Sequence, residues 1–123
     1  MWISLSFFLP YGQLVGATHL YNSEVLRGMI SSQNSQQKPL AAICAAPAVV
    51  FSPMGILLEK SATCYPAPKF RSTLTQESNL KVVQDGHIIT SQGPGTAMEF
   101  ALKLIEVLFG ADKSASIAKE LLF

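Results

Sequence analysis

The chain is short of charge, of cysteine and of histidine. Of its 123 residues only 14% are Asp, Glu, Lys or Arg, and these nearly cancel to a net charge of +1. There is no basic stripe for a phosphate backbone to follow, so nucleic-acid binding has no electrostatic basis. Two cysteines, Cys44 and Cys64, are too few for a disulfide framework and read as reduced intracellular thiols. The two histidines, His19 and His87, share no metal-ligand spacing with them, so neither a metal nor a cofactor is expected. Long apolar runs are also lacking. "MWISLSFFLP" stops at Pro10, too short to span a bilayer, and has no positive flank of the kind a signal peptide carries. Neither a membrane partner nor a secreted location is expected; a cytoplasmic one is, or a plastid one for a longer form that carries a transit peptide. The same stretch reads as a strand through Trp2, Ile3, Phe7, Phe8 and Leu9.

What is present is apolar: 49% of the residues. Low charge beside that content implies surface lying against something, either both faces of a sheet or a partner. After the first strand, "PYGQLVGATHLYN" reads as a loop, with Gly12 and Gly16 as turn residues. Asn22 or Ser23 caps a helix that carries Glu24 in its first turn and Val25, Leu26, Met29 and Ile30 at helical spacing. "LAAIC" reads as a strand and "AAPAVVF" as a helix with Pro47 in its first turn. "SATC" is a further short strand. Asp85-Gly86, between two β-branched runs, signals a hairpin. Thr96 with Glu99 has the spacing of a capping box, ahead of an apolar face of Ala97, Phe100, Ala101, Leu104, Ile105 and Leu108. Gly110 stops that helix and Asp112 caps a last one. Strands alternating with helices give an α/β class with a mostly parallel sheet.

Cys44 stands where a strand gives way to a helix. In an open α/β sheet that position is the ligand-binding edge. The helix N-terminus would favour the thiolate and lower its pKa. Against this stands a plain reading, cysteine as a small buried hydrophobe. His19 falls in the loop near this position and could donate a proton. His87 reads as a solvated turn residue, Cys64 as structural, and "GPGT" as a tight turn and cap rather than a phosphate cradle.

"AAICAAPAVV", then "GILLEKSATCYP", then "GHIITSQGPGTAMEFALKLIEVLFG" resemble the DJ-1/PfpI family in order and spacing. The resemblance implies a flavodoxin-like three-layer sandwich and a homodimer. It also implies a cofactor-free site that acts on a small aldehyde or a glycated substrate, as a glyoxalase converting methylglyoxal to lactate or as a protein deglycase. By motif, Cys44 is the nucleophile, and the backbone N–H groups of Ala45 and Gly12 are the oxyanion donors. Tyr65 and Gln92 stand where relatives commonly carry histidine and arginine. The family's first strand and helix supply a glutamate to the cysteine, and none of the eight carboxylates here follows a first strand. Residues 1–15 therefore read as an atypical segment joined to a partial domain, 16–123, without that strand and helix. Two further readings accompany the enzymatic one: a redox-sensing or chaperone-like module, and a non-functional fragment.

Overall fold

The computed structural model describes residues 3–5 and 13–123. Trp2, Phe7, Phe8, Leu9 and Gly12 lie outside the described residues. Strand β1 (Ile3–Leu5) is followed by helices α1 (Gln13–Asn22) and α2 (Glu24–Ser35), then by β2 (Leu40–Ile43). A five-residue π-helical turn (Pro47–Phe51) and β3 (Ser61–Ala62) come next. Helix α3 (Pro68–Arg71), β4 (Gln76–Glu77) and the pair β5 (Val82–Asp85) and β6 (Ile88–Ser91) lead to a 3-10 turn at Pro94–Thr96. Helices α4 (Ala97–Phe109) and α5 (Ala111–Glu120) complete the order.

The main sheet runs β1-β2-β6-β5. Strand β2 is parallel to β1 and to β6, with Leu40 opposite Ile3 and Ile88, and β5 closes on β6 as an antiparallel hairpin. Parallel strands need cover on both faces, and the side-chain period of two divides β2 between them. Leu40 and Ala42 join Ile30, Val50, Phe51, Leu57 and Ile88 on one side. Ala41 and Ile43 join Ile89 and Phe100 on the other, with Ala97, Leu104 and Val107 packed against them. Two helical layers around one sheet result, as the three-layer reading requires, and all four residues of β2 are buried.

Several local expectations are corrected by packing. The segment read as a loop is helix α1. Gly16 weakens a helix by only about 1 kcal/mol, and Ala17 packs at 2% exposure with Ala45 and Ala48 of the elbow segment. The hairpin turn is Gly86-His87, not Asp85-Gly86. Asp85 pairs with Ile88 inside the ladder, and its carboxylate accepts the Ser61 N–H at 2.8 Å. Gly86 alone takes the positive φ, +61°, the pattern of a two-residue turn with glycine first. Ser23 caps α2 as expected, through the Leu26 N–H. On α4 the core-facing stripe is Ala97, Phe100, Leu104 and Val107, while Ala101 and Leu108 are exposed. Gly110, not Asp112, occupies the cap of α5, and Asp112 lies within its first turn.

Candidate functional site

Cys44 directly follows β2 and precedes the π-helical turn, at the carboxyl edge of the parallel strands. Its φ is +66°, and holding a non-glycine residue there costs about 1–3 kcal/mol. The fold over-determines that geometry through two backbone bonds. The Cys44 N–H donates to the Ser91 carbonyl at 3.1 Å, and the Cys44 carbonyl accepts the Tyr65 N–H at 2.7 Å. The residue is 3% exposed, and the Ala45 N–H is the neighbouring group that favours its thiolate.

The thiol does not follow the electrostatic expectation. Burial lifts its pKa above the ordinary value, and the Ala45 N–H offsets only part of that rise. The helical turn that follows is five residues long and opens with Pro47, which has no N–H to offer. Its pull on the sulfur is therefore weaker than the loss of water around it.

A cavity of about 220 Å³ opens beside the elbow, lined by Tyr65, Pro66 and the run from Gln92 to Thr96. Cys44 is not in its lining but is bonded through its backbone to Tyr65, which is, and to Ser91, the residue before Gln92. The lining carries no formal charge at neutral pH. Gln92 donates from Nε2 to the Asn79 carbonyl at 3.2 Å. The Tyr65 ring meets Phe70 edge-on, with centroids 6.3 Å apart. A volume below the range of drug-sized pockets suits a small molecule or one protein side chain.

The remaining candidates are spread more widely. Gly12 lies outside the described residues. His19 is exposed in the last turn of α1, on a helix rather than in a loop. His87 lies in the hairpin turn, half-buried rather than fully solvated. Its Nε2 lies 2.7 Å from Asn34 Oδ1, and burial together with Lys60 lowers its pKa. Cys64 is 1% exposed just past β3, its Sγ donating to the Tyr65 carbonyl. Burial pushes its thiol up to about 11.

Glu99 makes no capping box. It binds Lys81 Nζ at 2.7 Å, and that bond, with a backbone N–H, holds its carboxyl below the usual range. Thr96 Oγ1 is turned instead to Ser91 and Gly93. This buried hydroxyl pair is the part of the site that sequence reasoning missed. The signal for it is the pair of hydroxyl residues, Ser91 and Thr96, on either side of the glycine-proline turn at Gly93–Gly95. Among the described residues no cluster of His, Cys, Asp and Glu could hold a metal ion, and no helix is long and apolar enough to cross a membrane.

A profile of the DJ-1/PfpI family matches residues 8–107. The chain is 44% identical to Protein DJ-1 homolog B of Arabidopsis thaliana over 110 residues, covering 88% of this chain and 25% of that protein. It is 36% identical to the glutathione-independent glyoxalase DJR-1.2 of Caenorhabditis elegans, covering 86% of this chain and 57% of that one. Among solved structures, oxidized DJ-1 of Toxoplasma gondii superposes with a TM-score of 0.81 at 38% identity, over 87% of this chain and 58% of that one. The chain spans well under two-thirds of each of these relatives.

Proposed function

The chain belongs to the DJ-1/PfpI family, and from that premise we propose that it acts on small 2-oxoaldehydes, or on their adducts with proteins, through the Cys44 thiol. The observation that carries this reading is Cys44 itself, held at φ +66° at the carboxyl edge of the parallel strands and bonded through its backbone to Tyr65 of an uncharged cavity. The glyoxalase of Caenorhabditis elegans supports it by likeness.

In this reading the sulfur adds to the aldehyde carbon. The S–H proton passes to the carbonyl oxygen, directly or through water, and a hemithioacetal forms. The Ala45 N–H, with the Gly12 N–H that the family motif implies, stabilises the negative oxygen during attack. A proton then moves from the former aldehyde carbon to the neighbouring carbonyl carbon, and the hemithioacetal hydroxyl proton passes to the neighbouring oxygen, giving a 2-hydroxy thioester. Water releases the acid and restores the thiol. Oxidation at one carbon balances reduction at the other, so no external oxidant is used. The proton shift needs a base, and the cavity lining holds no carboxylate or histidine. Hemithioacetal formation is therefore the step that this chain's own residues support best. The small cavity fits a compact aldehyde or one glycated side chain. The family resemblance adds a homodimer and a cytoplasmic location, checked by light scattering and by imaging of a tagged full-length protein.

The test is lactate formation from methylglyoxal by the wild-type chain, Cys44→Ala and Cys64→Ala. Activity should vanish in the first variant and survive in the second. Lactate released by Cys44→Ala at the wild-type rate would overturn the reading. A second reading is a redox module in which peroxide oxidises Cys44 to a sulfinate. It draws on the oxidized form of the Toxoplasma gondii relative and is read by intact mass after peroxide treatment.

A further inference from the structure

Ser91 is wholly buried, and each of its polar groups has a different partner. Its carbonyl accepts the Cys44 N–H at 3.1 Å. Its hydroxyl lies 2.6 Å from the Lys81 carbonyl and 2.7 Å from Thr96 Oγ1. Thr96, 7% exposed, accepts the Gly93 N–H at 3.1 Å and lies 3.0 Å from the Gly93 carbonyl.

The Lys81 carbonyl can only accept, so the single Ser91 proton goes to it at 2.6 Å. The Gly93 carbonyl likewise only accepts, so the single Thr96 proton is shared between that carbonyl at 3.0 Å and Ser91 Oγ at 2.7 Å. The two hydroxyls therefore link the Gly93 main chain to the Lys81 carbonyl. Ser91 thus ties the elbow main chain to the Gly93–Thr96 part of the cavity lining, while Tyr65, whose N–H bonds the Cys44 carbonyl, belongs to the same lining.

We propose that the Ser91–Thr96 hydroxyl pair is a positioning device that holds the Gly93–Thr96 wall in register with Cys44. This inference rests on the reading of Cys44 as the reacting group. The pair touches no reacting atom. It acts by keeping fixed the distance between the thiol and whatever the cavity holds, and neutral hydroxyls serve because both are buried and fully partnered.

The experiment compares the full chain with Thr96→Val, which keeps the side-chain shape and removes the hydroxyl, and with Thr96→Ser, which keeps the hydroxyl. Two readouts are taken on each: the rate of Cys44 capture of phenylglyoxal relative to that of iodoacetamide, and amide hydrogen exchange at Gly93, Gly95 and Tyr65. Loss of the Thr96 hydroxyl's bonds to Ser91 and Gly93 together predicts a change of about tenfold. In Thr96→Val the phenylglyoxal rate should fall about tenfold relative to iodoacetamide, with the pH profile of alkylation unmoved. Exchange at Gly93 and Gly95 should rise by a similar factor, with Tyr65 unchanged. Thr96→Ser should stay within about twofold on every readout. Equal losses in Thr96→Ser, an unaltered Thr96→Val, or a rise in exchange spread equally to Tyr65 would overturn the proposal. If the wild-type chain captures no phenylglyoxal, the functional reading falls, and the exchange pattern alone then upholds or overturns the positioning role.

Discussion

Above about pH 9 the folded chain should lose stability through one buried thiol. Cys64 lies at 1% exposure among Ala17, Ala45, Ala48 and Phe70. Burial is the main reason its pKa stands at about 11 rather than 9.0. Arg71 draws it down, Glu77 and Cys44 push it up, and the first two are themselves paired at 2.9 Å. The unfolded chain gives up this proton first. Its contribution is therefore intact below the unfolded value, declines as pH rises through the interval, and is gone above the folded value. Two units at about 1.36 kcal/mol each give a loss of about 2–3 kcal/mol, against a total stability of about 5–15 kcal/mol for an ordinary domain. Other pH-dependent contributions are common to both proteins, so the informative quantity is a difference between two proteins. Urea unfolding of the wild-type chain and Cys64→Ala, under reductant, should be followed from about pH 8 to about pH 11. The alanine variant begins less stable by a constant offset, since it gives up a buried sulfur. That deficit should then shrink by about 2–3 kcal/mol, or reverse, as pH rises. Parallel stability curves across the whole interval would refute the claim that burial holds this thiol protonated.

Limiting iodoacetamide near neutral pH should label Cys44 before Cys64, because only Cys44 has a neighbouring backbone N–H that favours its thiolate; peptide mapping of the folded protein reads the order, and prior labelling of Cys64 would count against the elbow assignment. Phe51→Ala should cost about 3–5 kcal/mol, since the ring is wholly buried against the β2 face of the core; a urea midpoint shift with an unchanged slope would establish it, and a loss below about 1 kcal/mol would show that the site collapses around the gap.

The run from Leu40 to Phe51 was legible in the sequence because its signals are local. Four small or branched apolar residues make a strand that both faces can bury, and Pro47 marks the opening of a helical turn. Cys44 at that joint, Ser23 as a cap and Gly110 as a helix stop follow from the same short-range rules. Other features depended on partners far along the chain. Helix α1 forms because Ala17 finds Ala45 and Ala48. Asp85 enters the ladder and takes the Ser61 N–H and Lys60, which shifts the turn by one residue. Thr96 gives up its capping-box role because Ser91 is buried beside it and Lys81 takes Glu99. The direction of the Cys44 shift was decided the same way. Local geometry supplies one favourable N–H, whereas desolvation is summed over every element that closes around the sulfur. Sequence determines where a side chain is presented, since that depends on nearest neighbours. Tertiary structure decides its protonation and partners, since burial and hydrogen-bond satisfaction are properties of the whole packed interior.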